Sequence, residues 1–207
     1  YGEIKMVRDV LKETRLHVII RNRGGDFLYS EAELERMAMD IDLCRQLGVD
    51  GVVFGCLTAN GNIDKHANQL LMEHAKGMNV TFHRAFDCCR DPEKALEEII
   101  AMGFHRILTS GQPTAELGIP LLRRLNTLAK DRIIIMAGCG VTEKNIFKIQ
   151  EETQVRAFHF SAREEKRSDM LYSNPSIYMG SKGVDENIIM QTTERRVRNT
   201  IESLLRK

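Results

Sequence analysis

Neither sign of charge dominates this chain: 30 Lys and Arg stand against 29 Asp and Glu, a formal balance of +1. So small a net charge gives no long-range field for a nucleic-acid backbone or an anionic membrane surface to exploit, and any anion site must be local. There is no apolar run near the roughly 20 residues a helix needs to cross a bilayer. The opening Tyr1-Gly2-Glu3-Ile4-Lys5-Met6 has none of the basic, apolar and cleavage regions of an export signal. The five cysteines, Cys44, Cys56, Cys88, Cys89 and Cys139, are odd in number and form no C-x-x-C pair. That argues against a disulfide framework and against a structural zinc site. A reducing compartment, with neither nucleic acid nor membrane as partner, is the expectation. The Met residues, 10 in all, are scattered along the chain, and no G-x-G-x-x-G follows a first strand.

What is present is one unit repeated. Helical spacing begins at once, with Ile4, Val7 and Leu11 on one face and no strand before them. Leu16-His17-Val18-Ile19-Ile20-Arg21 then reads as a strand, closed by the turn Arg23-Gly24-Gly25-Asp26. Ser30 and Glu33 form a capping box for a helix with Leu34, Met37, Ala38, Ile41 and Cys44 on its inner side and Gly48 as its stop. Gly51-Val52-Val53-Phe54 is the second strand, and Asp64 caps the helix after it. Val80-Thr81-Phe82-His83 is the third, with Asp91 and Pro92 starting its helix, and His105-Arg106-Ile107-Leu108-Thr109 is the fourth. A helix carrying Leu121, Leu122, Leu125 and Leu128 leads to Arg132-Ile133-Ile134-Ile135-Met136, apolar enough to be covered on both faces. Thr142 is placed to cap a sixth helix, and Val155-Arg156-Ala157-Phe158-His159-Phe160 is the sixth strand. Residues 163–184 read as irregular, long for a loop, before Val197, Ile201, Leu204 and Leu205 mark a closing helix. Strands alternating with amphipathic helices predict a parallel α/β sheet in one domain, residues 1–207, and the near-uniform repeat favours a β/α barrel over a doubly wound sheet.

In either architecture the site is built where the strands end. After the first strand, Arg21 and Arg23 can meet a carboxylate or phosphate over the backbone of Gly24 and Gly25, with Asp26 beside them; the plain alternative is a glycine turn with solvated charges. After the third, His83 can act as acid, base or metal ligand, with Asp87 as a carboxylate that could fix its tautomer and Arg84 as an anion contact; otherwise His83 is a buried structural histidine. After the sixth, His159 and Ser161 repeat the pattern. Ser110 with Gly111, and Gly138 with Gly140, could present backbone N–H groups, although tight turns explain glycine equally well. Cys56, Cys88, Cys89 and Cys139 all lie just past strand ends, where thiolates would suit Cu(I), while free cysteines are most often small buried apolar groups.

The strings R-x-R-G-G-D-F-L-Y-S, G-V-V-F-G, V-T-F-H-R-A-F-D, R-I-L-T-S-G, I-M-A-G-C-G-V and F-H-F-S-A resemble the CutC copper homeostasis family from Tyr1 to the closing helix. The resemblance implies a TIM-type (β/α)8 barrel, Cu(I) as the ligand, self-association into a homo-oligomer, and a cytoplasmic location that in animals extends to the nucleus. Family members have two further strands before the position matching Tyr1, which leaves six of eight here, and the cysteines of the family's interior belong to those strands. Asn22 stands where the family has Pro, and Ser173 where it has Arg. Two functions follow as expectations. One is copper handling. The other is a barrel enzyme on a small carboxylate- or phosphate-bearing substrate, with His83, Asp87, Asp26 and His159 as its acid–base groups.

Overall fold

A computed structural model describes residues 1–174, 176–177, 180 and 184–205. After helix α1 (Gly2–Val10), strands and helices alternate as β1 (His17–Ile19), α2 (Glu31–Gln46), β2 (Gly51–Phe54), α3 (Lys65–His74) and β3 (Asn79–Phe82). A short 3₁₀ turn (Arg84–Cys88) comes before α4 (Pro92–Ala101), β4 (Arg106–Thr109), α5 (Ile119–Ala129), β5 (Ile134–Ala137), α6 (Ile146–Thr153) and β6 (Ala157–Phe158). The six strands lie side by side in chain order, every pair parallel, and form part of a curled β/α barrel.

Register sorts the side chains into two faces, because successive residues of a strand point to opposite sides. Phe54 pairs with Phe82 and Phe82 with Ile107, and Ile107 pairs with Ile135; this row packs under the helices and is fully buried. Phe104 meets both Phe54 and Phe82 edge-on, with ring centroids 5.4 and 5.3 Å apart. Each such buried side chain contributes about 1.5–3 kcal/mol. The alternate row, Ile19, Val53, Thr81, Arg106 and Ile134, lines the concave side.

Several sequence expectations shift. The first strand is shorter than its apolar run, so Arg21 lies on the loop. The fifth strand is not covered on both faces: Ile134 is 46% exposed on the concave side. Thr142 does not cap α6; it opens a turn in which its Oγ1 accepts from Lys144 N at 3.3 Å, and Asn145 takes the cap position. The stretch read as irregular begins with β7 (Arg163–Arg167), which pairs antiparallel with β8 (Ile188–Thr192) before α7 (Glu194–Leu205). Residues 175, 178–179 and 181–183 of that stretch lie outside the described residues.

Candidate functional site at the strand ends

His83 continues directly from β3, its N–H bonded to Phe54 O at 3.0 Å, and starts the 3₁₀ turn. Its Nδ1 accepts from Ala85 N at 3.3 Å. The ring is 3% exposed, with Phe27 against it at 5.1 Å and Phe82 at 6.3 Å. A Cβ on Gly55 would come within 2.9 Å of Nδ1, so glycine there is what lets the imidazole lie across the end of β2. Burial, with Arg21 adding to it, pushes the His83 pKa down to about 4. The ring is therefore neutral near pH 7. With Nδ1 accepting, the hydrogen is assigned to Nε2, and Nε2 is buried with no hydrogen-bond partner among the described residues.

Asp87 does not serve His83. Its side chain, 4% exposed, accepts from Thr109 Oγ1 at 2.5 Å, Ser110 N at 3.0 Å, Ser110 Oγ at 2.9 Å and Arg84 Nε at 2.7 Å. The expectation that Asp87 fixes the imidazole tautomer is thus corrected: the turn carries the carboxylate three residues on, under β4, and the Ala85 amide sets the ring instead. Arg84 is fixed at Nε, and its Nη2 reaches Ser110 Oγ at a long 3.4 Å. Thr109, buried beneath Asp87, was not among the sequence candidates; a hydroxyl at a strand end gives no pattern to find it by.

The first loop separates its two arginines. Arg23 bonds Glu33 at 2.6 Å, Asp26 at 2.9 Å and Leu28 O at 2.7 Å, so it and the exposed Asp26 shape the loop. Arg21 bonds Gly25 O at 2.7 Å and lies over the Phe27 ring at 4.6 Å. Gly25 has φ +84°, a left-handed turn, and Gly24 is open to solvent. Tyr29, which sequence reasoning passed over, holds a buried hydroxyl with no geometric hydrogen bond; burial raises its pKa, Cys56 adds to this, and Arg21 opposes it.

At the later strands, Gly111 (φ +68°) packs against Gly118, and Gly140 has φ +80°, so both fit the tight-turn reading. A Cβ on Gly138 would meet Leu108 at 2.5 Å and His159 at 3.3 Å. His159 is on the exposed rim, its pKa lowered by partial burial and then by Arg84. Ser161 is exposed and uses its carbonyl to accept from Thr192 Oγ1 at 2.8 Å. Gln112, Cys139 and Ala162, with φ of 80°, 72° and 46°, are left-handed without being glycine, and they follow β4, β5 and β6. Backbone held in this region clusters at functional sites.

The strand ends thus gather Arg21, His83, Arg84, Ser110 and His159, while Arg23, Asp26 and Asp87 are committed to structure. The family model for CutC matches residues 1–164. The chain belongs to the CutC family. A CutC family protein of Bacteroides thetaiotaomicron is 62% identical over 206 residues, 99% of this chain and 83% of the relative. One from Chromobacterium violaceum is 46% identical over 205 residues, 99% of this chain and 83% of the relative. The solved CutC of Streptococcus agalactiae, a copper homeostasis protein by provisional assignment, is 38% identical with a TM-score of 0.74, covering 77% of this chain and 79% of that one. QR15, an aldolase, shares the barrel architecture at 14% identity and a TM-score of 0.62, covering 76% of this chain and 72% of its own.

For a CutC chain the sulfur donors matter. Cys56 is 1% exposed, and burial followed by the charge of Asp64 pushes its thiol up to about 12. Cys89 is also buried and pushed up to about 12, chiefly by burial and then by Asp87. Cys88 is exposed and Cys139 half-buried. Among the described residues no three His, Cys, Asp or Glu side chains are grouped to hold a metal ion. The thiols expected at one mouth are therefore not gathered three together, and the two buried ones resist becoming thiolates.

Proposed function

We propose that this CutC chain serves copper homeostasis inside the cell, handling Cu(I) as cargo and working as a homo-oligomer. Family kinship carries the reading: a structure 38% identical bears a copper homeostasis assignment. Cys88 and Cys139, the two thiols within reach of solvent, are the donors to test first, since soft thiolate suits Cu(I). Anaerobic titration of reduced protein with Cu(I) against a coloured chelator checks this. Binding is expected to weaken in Cys88→Ser and Cys139→Ser, and wild type binding no tighter than a chain with all five cysteines replaced would end the reading.

The second reading is favoured by the buried, unpartnered Nε2 of His83. Here the strand ends form the site of a barrel enzyme or binding protein for a small carboxylate- or phosphate-bearing molecule, with Arg84 and Arg21 meeting the anion, Ser110 and His159 beside them, and Asp87 as a positioning residue. A thermal-shift screen of small carboxylates and phosphates tests it. Stabilisation that disappears in Arg21→Gln and His83→Leu is expected; no stabilising compound at all would remove the reading.

A further inference from the structure

We infer that His83 is a neutral hydrogen-bond donor which, through Nε2–H and together with Arg21, holds one oxygen of a small anion, a phosphate or carboxylate group, at the ends of β1 and β3. The inference deepens the second reading and adds the atom, the tautomer and the ligand class.

A buried donor without a partner costs about 1–3 kcal/mol, and a phenyl or leucyl group would fill similar space without that cost. Here the orphan sits at a strand end, where barrels build their sites, between two aromatic rings that keep it from bulk water. Nδ1 is taken by the Ala85 amide, which leaves Nε2 with the hydrogen. In that tautomer Nε2 has no lone pair for a metal, so the group suits an acceptor oxygen and not a cation.

The local charge points the same way. Arg21 lies over the Phe27 ring at 4.6 Å, and Phe27 lies against the His83 ring at 5.1 Å, while Arg84 is fixed through Nε to the buried Asp87 carboxylate. Arg21 and Arg84 lie near enough to depress the titration of His83 and His159 respectively, so both imidazoles sit in a positive field. Among the described residues Asp87 is paired with Arg84 and offsets its charge, and Asp26 is paired with Arg23, whereas Arg21 bonds a backbone oxygen, Gly25 O, and no carboxylate. A cation would be repelled there, whereas an anion gains from the guanidinium, and a donor N–H meets it without carrying charge itself.

The test is a titration of ¹⁵N-labelled, copper-free protein with inorganic phosphate and, separately, with malonate, read on the His83 ring nitrogens and on the amides of Ser110 and Gly111. A saturable shift of the Nε2–H signal with either anion is expected, and the stronger of the two tells phosphate from carboxylate. Arg21→Gln and His83→Leu are each expected to weaken the affinity about tenfold, as loss of one such hydrogen bond would. His83→Asn, which keeps a donor, should recover part of it. Should His83→Leu fail to fold, Arg21→Gln and the direct Nε2 signal carry the test. A His83 signal that neither anion moves, or a ring hydrogen found on Nδ1, overturns the inference. Anion binding without turnover of any screened compound would sustain it while ending the enzyme reading; turnover with a silent His83 would do the reverse.

Discussion

His83 was legible as a candidate because it closes an apolar strand, but its chemistry was not, because that depends on what surrounds the ring. The surroundings make a measurable difference to stability. The pKa of His83 is lowered from 6.5 to about 4 in the fold, so between those values the unfolded chain binds more protons than the folded one. Stability is full above pH 6.5 and falls as the pH drops through the window, by roughly 3 kcal/mol in all. Urea denaturation between pH 7 and pH 4 should show this loss in wild type and less of it in His83→Gln; equal slopes would remove His83 as the cause. Asp87 was legible only as a charge near a histidine. A 3₁₀ turn, invisible to apolar periodicity, carries it to β4, where three donors from Thr109 and Ser110 converge on it. Asp87→Ala strands those donors and is expected to cost about 3 kcal/mol or more in chemical denaturation. A loss below about 1 kcal/mol would mean that the clamp is not structural.

At the level of elements, local chemistry that includes a cap was the easiest to read. Asp64 and Asp91 accept from Ala67 N and Lys94 N at 3.0 and 3.1 Å, and the helices begin where those residues place them. Asp91→Ala should lower stability by about 1 kcal/mol and fray the first turn of α4, as circular dichroism and hydrogen exchange would show. Thr142 misled because it too makes a capping contact, but within a turn that delays the helix by several residues. The β7 and β8 ribbon escaped notice for another reason. Arg163-Glu164-Glu165-Lys166-Arg167 is charged throughout, and a two-stranded ribbon exposed on both sides leaves no alternation to read. Close approach between elements was also hidden. A Cβ on Gly118 would lie 1.9 Å from Ser110 O, so the start of α5 can press on the β4 loop only with glycine there. Gly118→Ala must push that loop away, with an expected cost of about 2–3 kcal/mol and a shift of the Ser110 amide.

Across the whole molecule, the repeat of strand and helix fixed the architecture. Six parallel strands leave β1 and β6 each with one neighbour in the sheet among the described residues. The concave face between them carries exposed apolar side chains, Ile19 at 62% and Ile134 at 46%, on either side of Thr81 and Arg106. Sequence could not show this, since Ile19 and Ile134 sit in runs that look as buried as any other strand. Unpaired strand edges beside exposed apolar side chains are templates for association, which natural edges resist with charge or proline. β1, reading His17-Val18-Ile19, carries neither a fixed charge nor proline. The six-stranded sheet of residues 1–207 therefore offers β1 as an edge to which another strand, from elsewhere in a chain or from a second copy, can add. Sedimentation velocity of residues 1–207 across a concentration series tests the second case, in which self-association is expected and Ile19→Lys should shift it toward monomer by setting a charge on the edge. The substituted side chain is exposed, so the monomer's own stability should change little, which a denaturation curve would verify. An Ile19→Lys chain that associates as strongly as wild type would place the contact elsewhere, with the exposed Ile189 and Met190 of β8 the next edge to test.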